Sequence, residues 1–107
     1  MKNNKEFLGV VKEKRMSMFF GVRVDKRIKN GNEIIWYRSD IEVERIKYYL
    51  GAYAEETHAA YAYNVAFSFV ENGFYIIENH VFLTDDVKTF IRNKVKALMV
   101  KKGLKLK

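Results

Sequence analysis

The side chains of this chain that could do chemistry are cations and aromatics, not nucleophiles. Twenty Lys and Arg stand against 13 Asp and Glu, a formal net charge of +7, and aromatics make up 15% of 107 residues. Such a set supports anion binding, and for a small basic protein nucleic acid is the commonest anionic partner. Catalysis finds little to work with. There are no cysteines, hence no thiolate nucleophile, disulfide framework or thiolate zinc site. The two histidines, His58 and His80, are too few for most histidine-based metal sites. No nucleophile–base triad, positioned carboxylate pair or phosphate loop is legible. The expectation is a protein that is not an enzyme and carries no metal and no cofactor.

The cations are unevenly placed. Residues 1–18 carry about +3 and residues 19–53 about +2, residues 54–83 about −4, and residues 84–107 about +6. A uniformly solvated surface would mix the signs more evenly. No apolar run reaches the ~20 residues of a membrane span, and no signal peptide is recognisable. The expected location is therefore intracellular, in the nucleus or in a bacterial cytoplasm or nucleoid according to source, with no membrane partner.

The elements that must position these side chains follow from periodicity. Residues 19–28 and 34–43 read as strands, separated by a break at Lys29-Asn30-Gly31-Asn32. In the first, Phe20, Val22 and Val24 share one side; Phe19, Gly21 and Arg23 share the other. In the second, Trp36, Arg38, Asp40 and Glu42 face one way, and Tyr37, Ser39, Ile41 and Val43 the other. Glu44-Arg45 is a tight connection without the usual Asn-Gly. Residues 46–53 form a third strand, with Ile46, Tyr48 and Leu50 inward and Lys47 and Tyr49 outward.

The period then changes to that of a helix over 55–70, with Ala59, Ala60, Tyr63, Ala66, Phe67 and Val70 on its apolar face. Small Ala residues let such a helix lie close to a sheet. Asn72-Gly73 is placed to close it. FYII at 74–77 is too short for a helix. Thr84-Asp85-Asp86 opens a last basic helix over about 85–102, with Val87, Phe90, Ile91, Val95 (or Lys94) and Leu98 along one face. The fold class is α+β: a three-stranded antiparallel sheet packed against an α-helix, plus a C-terminal basic amphipathic helix. An internal echo adds an ambiguity. FLGVVKEKR at 7–15 resembles FFGVRVDKR at 19–27, twelve residues on, so either copy can open the sheet.

Three strands followed by one Ala-rich helix resemble the Apetala-2/ethylene-response-factor type of DNA-binding domain. Phe19-Phe20-Gly21-Val22-Arg23 is similar to that family's opening Tyr-Arg-Gly-Val-Arg strand. Tyr37, Ser39 and Ile41 sit where a Trp-x-Ala-x-Ile strand has its Trp, Ala and Ile. Tyr49-Leu50-Gly51-Ala52-Tyr53 matches the aromatic-Leu-Gly turn. Ala59-Ala60-Tyr61-Ala62-Tyr63-Asn64-Val65-Ala66 matches the helix nearly residue for residue. The likeness covers about residues 19–70. It departs at Phe20, where an Arg is usual; at Glu55, where a Thr usually caps; in a longer first hairpin; and in the acids Asp40 and Glu42. On this reading 1–18 is a basic extension or a further strand, 19–73 the DNA-binding unit, and 74–107 a C-terminal segment of the same compact body.

The resemblance implies sequence-specific binding of double-stranded DNA, with the sheet in the major groove, by a small transcriptional regulator or a mobile-element or phage protein. The groove admits a β-ribbon, whose outward side chains reach base edges. The residues so implicated in base contacts are Arg23, Arg27, Trp36, Arg38, Asp40, Lys47 and Tyr49. Those implicated in phosphate contacts are Lys12, Lys14, Arg15, Lys26, Lys29 and Arg45. Without the resemblance, outward Arg and Lys on a strand are more often ordinary solvated residues. The alternative is a non-enzymatic protein-interaction or dimerisation module on the same fold; RNA binding through exposed aromatics is a weaker third. The C-terminal helix completes the core, touches phosphates, or forms the seam of a homodimer.

Overall fold

The computed structural model describes residues 10–70 and 78–103, with the side chains of residues 10–15 left aside. Its strands are β1 (Val10–Met16), β2 (Val22–Lys29), β3 (Asn32–Val43) and β4 (Ile46–Tyr53), and its helices α1 (Glu56–Val70) and α2 (Asp85–Lys102). The three expected strands form an antiparallel sheet with α1 packed on it and α2 following. The echo resolves into a hairpin. Val10–Arg15 of the first copy and Val22–Arg27 of the second are strands, and β1 pairs antiparallel with β2 to give a four-stranded sheet in chain order. The FYII segment and the proposed Asn72-Gly73 cap lie outside the described residues.

Two tight turns set the registers. Asn30 and Gly31 both take positive φ (52° and 79°), the mirror-image turn whose twist matches paired strands. Glu44 and Arg45 adopt the same sign (51° and 68°), although neither is a residue that does so freely. Between β3 and β4 the register shifts at Ser39/Asp40: Ser39 faces Gly51, Asp40 faces Tyr49, and Leu50 is the extra residue. This bulge reverses the strand's alternation. Without it Tyr49 and Tyr53 would share a face; with it Tyr49 is 44% exposed and Tyr53 is buried. Gly51, at φ 109°, supplies the backbone conformation the bulge needs.

The core lies between the sheet's inner face and the two helices. Val22, Ile41, Tyr48, Leu50 and Tyr53 meet Ala59, Ala60, Ala62, Val65 and Ala66 of α1 and Ile91, Val95 and Met99 of α2. Thr84 caps α2, accepting from the Val87 N–H at 3.4 Å, and Gly103 closes it in the left-handed conformation. Three expected inward residues differ. Phe20 is exposed because it precedes the Gly21 turn, where β2 has not yet begun. Ile46 is exposed at the turn end of β4. Phe90 is exposed, and Met99 takes its place in the core, because the buried stripe of α2 runs Ile91–Val95–Met99.

Asn79, which carries no motif, ties the loop before α2 to the β1–β2 turn and to α1. Its Oδ1 accepts from the Phe20 N–H (2.7 Å), and its Nδ2 donates to the carbonyls of Phe20 (3.0 Å) and Ala60 (3.1 Å). Asn64, expected to serve backbone rather than DNA, donates to the Asn79 carbonyl (2.8 Å) and accepts from its N–H (2.7 Å).

Candidate functional site

The sheet face turned away from α1 carries the chemistry. Strand alternation, reset by the Leu50 bulge, brings Arg23, Arg27, Trp36, Arg38, Asp40, Lys47 and Tyr49 to that one side. Trp36 and Tyr49 are each 44% exposed. The Arg38 guanidinium lies 5.5 Å from the Tyr49 ring centroid, a cation–π approach that orders both side chains.

The arginines of this face are matched to acids. Arg23 Nη2 donates to Asp40 Oδ2 at 2.6 Å, a charge-assisted bond. Asp25 sits between Arg27 and Arg38, its Oδ1 3.8 Å from Arg27 Nε and its Oδ2 3.8 Å from Arg38 Nη1. These distances are Coulombic contacts, too long for hydrogen bonds. The Asp25 side chain is only 7% exposed, and its Oδ1 has no hydrogen-bond partner among the described residues. Sequence reasoning missed Asp25. Its signal was its register position, opposite Trp36 and between two arginines on adjoining strands.

The residues expected to touch phosphate are scattered. Lys29 is exposed at the end of β2, and Arg45 is exposed in the β3–β4 turn. Lys26 alternates to the helix side of the sheet and pairs with Glu33 at 3.0 Å, so it does not share the outer face. Lys12, Lys14 and Arg15 stand in β1 opposite Arg27, Asp25 and Val24; their side chains lie outside the described residues.

Helix α2 borders the same face along β4, a contribution the sequence left open. Asp25, Arg27, Trp36, Arg38 and Tyr49 of the sheet and Lys94 and Leu98 of α2 line one concavity of about 470 Å³. Lys94 is anchored there: its ammonium lies 4.3 Å from the Tyr53 ring centroid and 3.5 Å from the Ala52 carbonyl. Burial, and then the nearby Tyr49, raises the Tyr53 phenol well above its ordinary range. It therefore stays protonated and donates to the Leu50 carbonyl at 2.7 Å.

Among the described residues no three His, Asp or Glu side chains gather as a metal site would need, and no helix is long and apolar enough to cross a membrane. Compared against protein-family models and against curated proteins, the chain matches none.

Proposed function

We propose that the protein binds double-stranded DNA sequence-specifically by laying the outer face of its sheet in the major groove, acting inside the cell as a small regulator or mobile-element protein without catalytic activity. One observation carries this reading: seven side chains with base-reading or stacking chemistry, drawn from three strands, share the face opposite α1. Arg can bond guanine O6 and N7 bidentately, worth ~1–3 kcal/mol of discrimination, and an acid can accept from cytosine N4.

The acids on this face do not count against the reading. Arg23 stays 42% exposed beside the largely buried Asp40. Held this way, the guanidinium is oriented before DNA arrives, which lowers the ordering cost of binding.

Fluorescence anisotropy tests the proposal: random-sequence duplex titrated at low and moderate salt, with R23A/R38A beside the unaltered protein. Binding that weakens steeply with salt, and a preferred site selected from the random pool whose affinity falls in the variant, support it; no binding at low salt overturns it. A second reading, a protein-interaction module on the same fold, draws on the neutralisation of Arg23, Arg27 and Arg38 by Asp40 and Asp25. It predicts no salt-sensitive DNA binding.

A further inference from the structure

The concavity between sheet and helix continues along α2. Next to the first hollow, and sharing Tyr49 and Leu98 with it, lies a second of about 320 Å³ lined by Lys47, Tyr49, Leu98, Lys101 and Lys102. The two make one trough between β4 and α2. Six cationic side chains line it, Arg27, Arg38, Lys47, Lys94, Lys101 and Lys102, against a single carboxylate, Asp25.

The cations at its two ends differ. On the sheet, Arg27 and Arg38 share Asp25. On the helix side Lys101 and Lys102 are exposed and have no ion-pair partner among the described residues, and neither does Lys47 on β4, although Glu42 stands opposite it in register. The trough's uncompensated charge is therefore concentrated at the α2 end. Lys94, Leu98, Lys101 and Lys102 recur at three- and four-residue spacing, beside the buried Ile91–Val95–Met99 stripe that fixes the helix against the core. The lysines are thus presented by a seated helix, not by a loose tail.

The geometry points to α2 as the phosphate-gripping wall of the interface: one strand of the duplex backbone runs along the helix end of the trough, held by Lys101 and Lys102, while the sheet reads base edges. The inference rests on the DNA-binding reading and adds a division of labour to it. Phosphate contacts set affinity and salt dependence without carrying sequence information; base contacts do the reverse.

The test measures binding of the full chain to poly(dA-dT) and poly(dG-dC) duplexes across a salt series. K101Q/K102Q is compared with R23A/R38A and with R92Q/K96Q, exposed residues of the same helix outside the trough. Each lost phosphate contact lowers the slope of log K against log salt by about 0.9. The expected result is a slope smaller by about 1.8 in K101Q/K102Q with the ratio between the two duplexes unchanged, while R92Q/K96Q keeps the original slope. A slope unchanged in K101Q/K102Q, or lowered equally in R92Q/K96Q, overturns the inference even if R23A/R38A loses binding. An unaltered protein that binds neither duplex at low salt overturns the DNA reading itself, and this inference with it.

Discussion

A methyl group placed on Gly21 would come within 2.1 Å of Tyr63 Cδ2, at a backbone φ of +74°. Both the left-handed conformation and the clash oppose it, so Gly21→Ala should cost about 2–4 kcal/mol. A urea denaturation midpoint that barely moved would show the turn and ring to be softer than described. Ser39 makes the opposite case. It is fully buried on the helix side of the sheet, and its hydroxyl has no hydrogen-bond partner among the described residues. Ser39→Ala removes an unpaired polar group at little volume cost and should be neutral or stabilising by about 1 kcal/mol; a clear loss of stability in the same assay would mean the hydroxyl has a partner. Both positions were legible in part. The sequence shows a Gly in the opening FFGV run and a small residue at 39, but the ring that forbids a side chain at Gly21 comes from a helix some forty residues on. Asp25 was invisible for the same reason: its importance lies in two arginines, one of them across a strand pair.

At the scale of elements, the alternation and the change of period located three strands and both helices, because each buries one face and periodicity records that face. What periodicity could not see was the bulge. One extra residue at Leu50 decides that Tyr49 looks outward and Tyr53 inward, and only the pairing with β3 reveals it. The buried stripe of α2 was displaced for a similar reason, since Phe90 and Met99 are equally apolar and only docking chooses between them. The two-residue turns offer an element-scale prediction. Asn30-Gly31 takes positive φ at low cost, whereas Glu44-Arg45 does so against the ~1–2 kcal/mol per residue that L side chains meet there. Replacing the pair in E44N/R45G should raise stability by about 1 kcal/mol after glycine's added chain entropy. A lower thermal midpoint would show that the native pair is held by contacts worth more than its strain.

For the whole molecule, the uneven charge along the sequence becomes a spatial arrangement. The basic helix α2 flanks the outer sheet face along β4, while α1, on the other side, carries one acid, Glu56, and no Lys or Arg. That sidedness could be suspected from charge counts; the path of α2 along β4 could not, because helix docking depends on which apolar stripe wins. If the outer face reads DNA, R23A/R38A should lose about 2–6 kcal/mol of binding to a preferred site, one bidentate contact each. It should lose far less to random duplex at the same salt, because phosphate attraction is spread over other cations. Equal losses on both duplexes would assign the two arginines to phosphate.

The order of the sheet has a kinetic consequence. Its strands lie in the sequence in which they are made, and two of the three connections are two-residue turns. Each pairing therefore closes a very short loop, which carries little entropic cost, and hairpins of this kind form in roughly 1–10 μs. A ribosome would release the sheet hairpin by hairpin, before either helix exists to cover it. The slow event is then the arrival of α1, whose alanines bury the exposed inner face. Until that arrival the nascent sheet is a sticky surface, and the step most open to aggregation is the wait for residues 56–70.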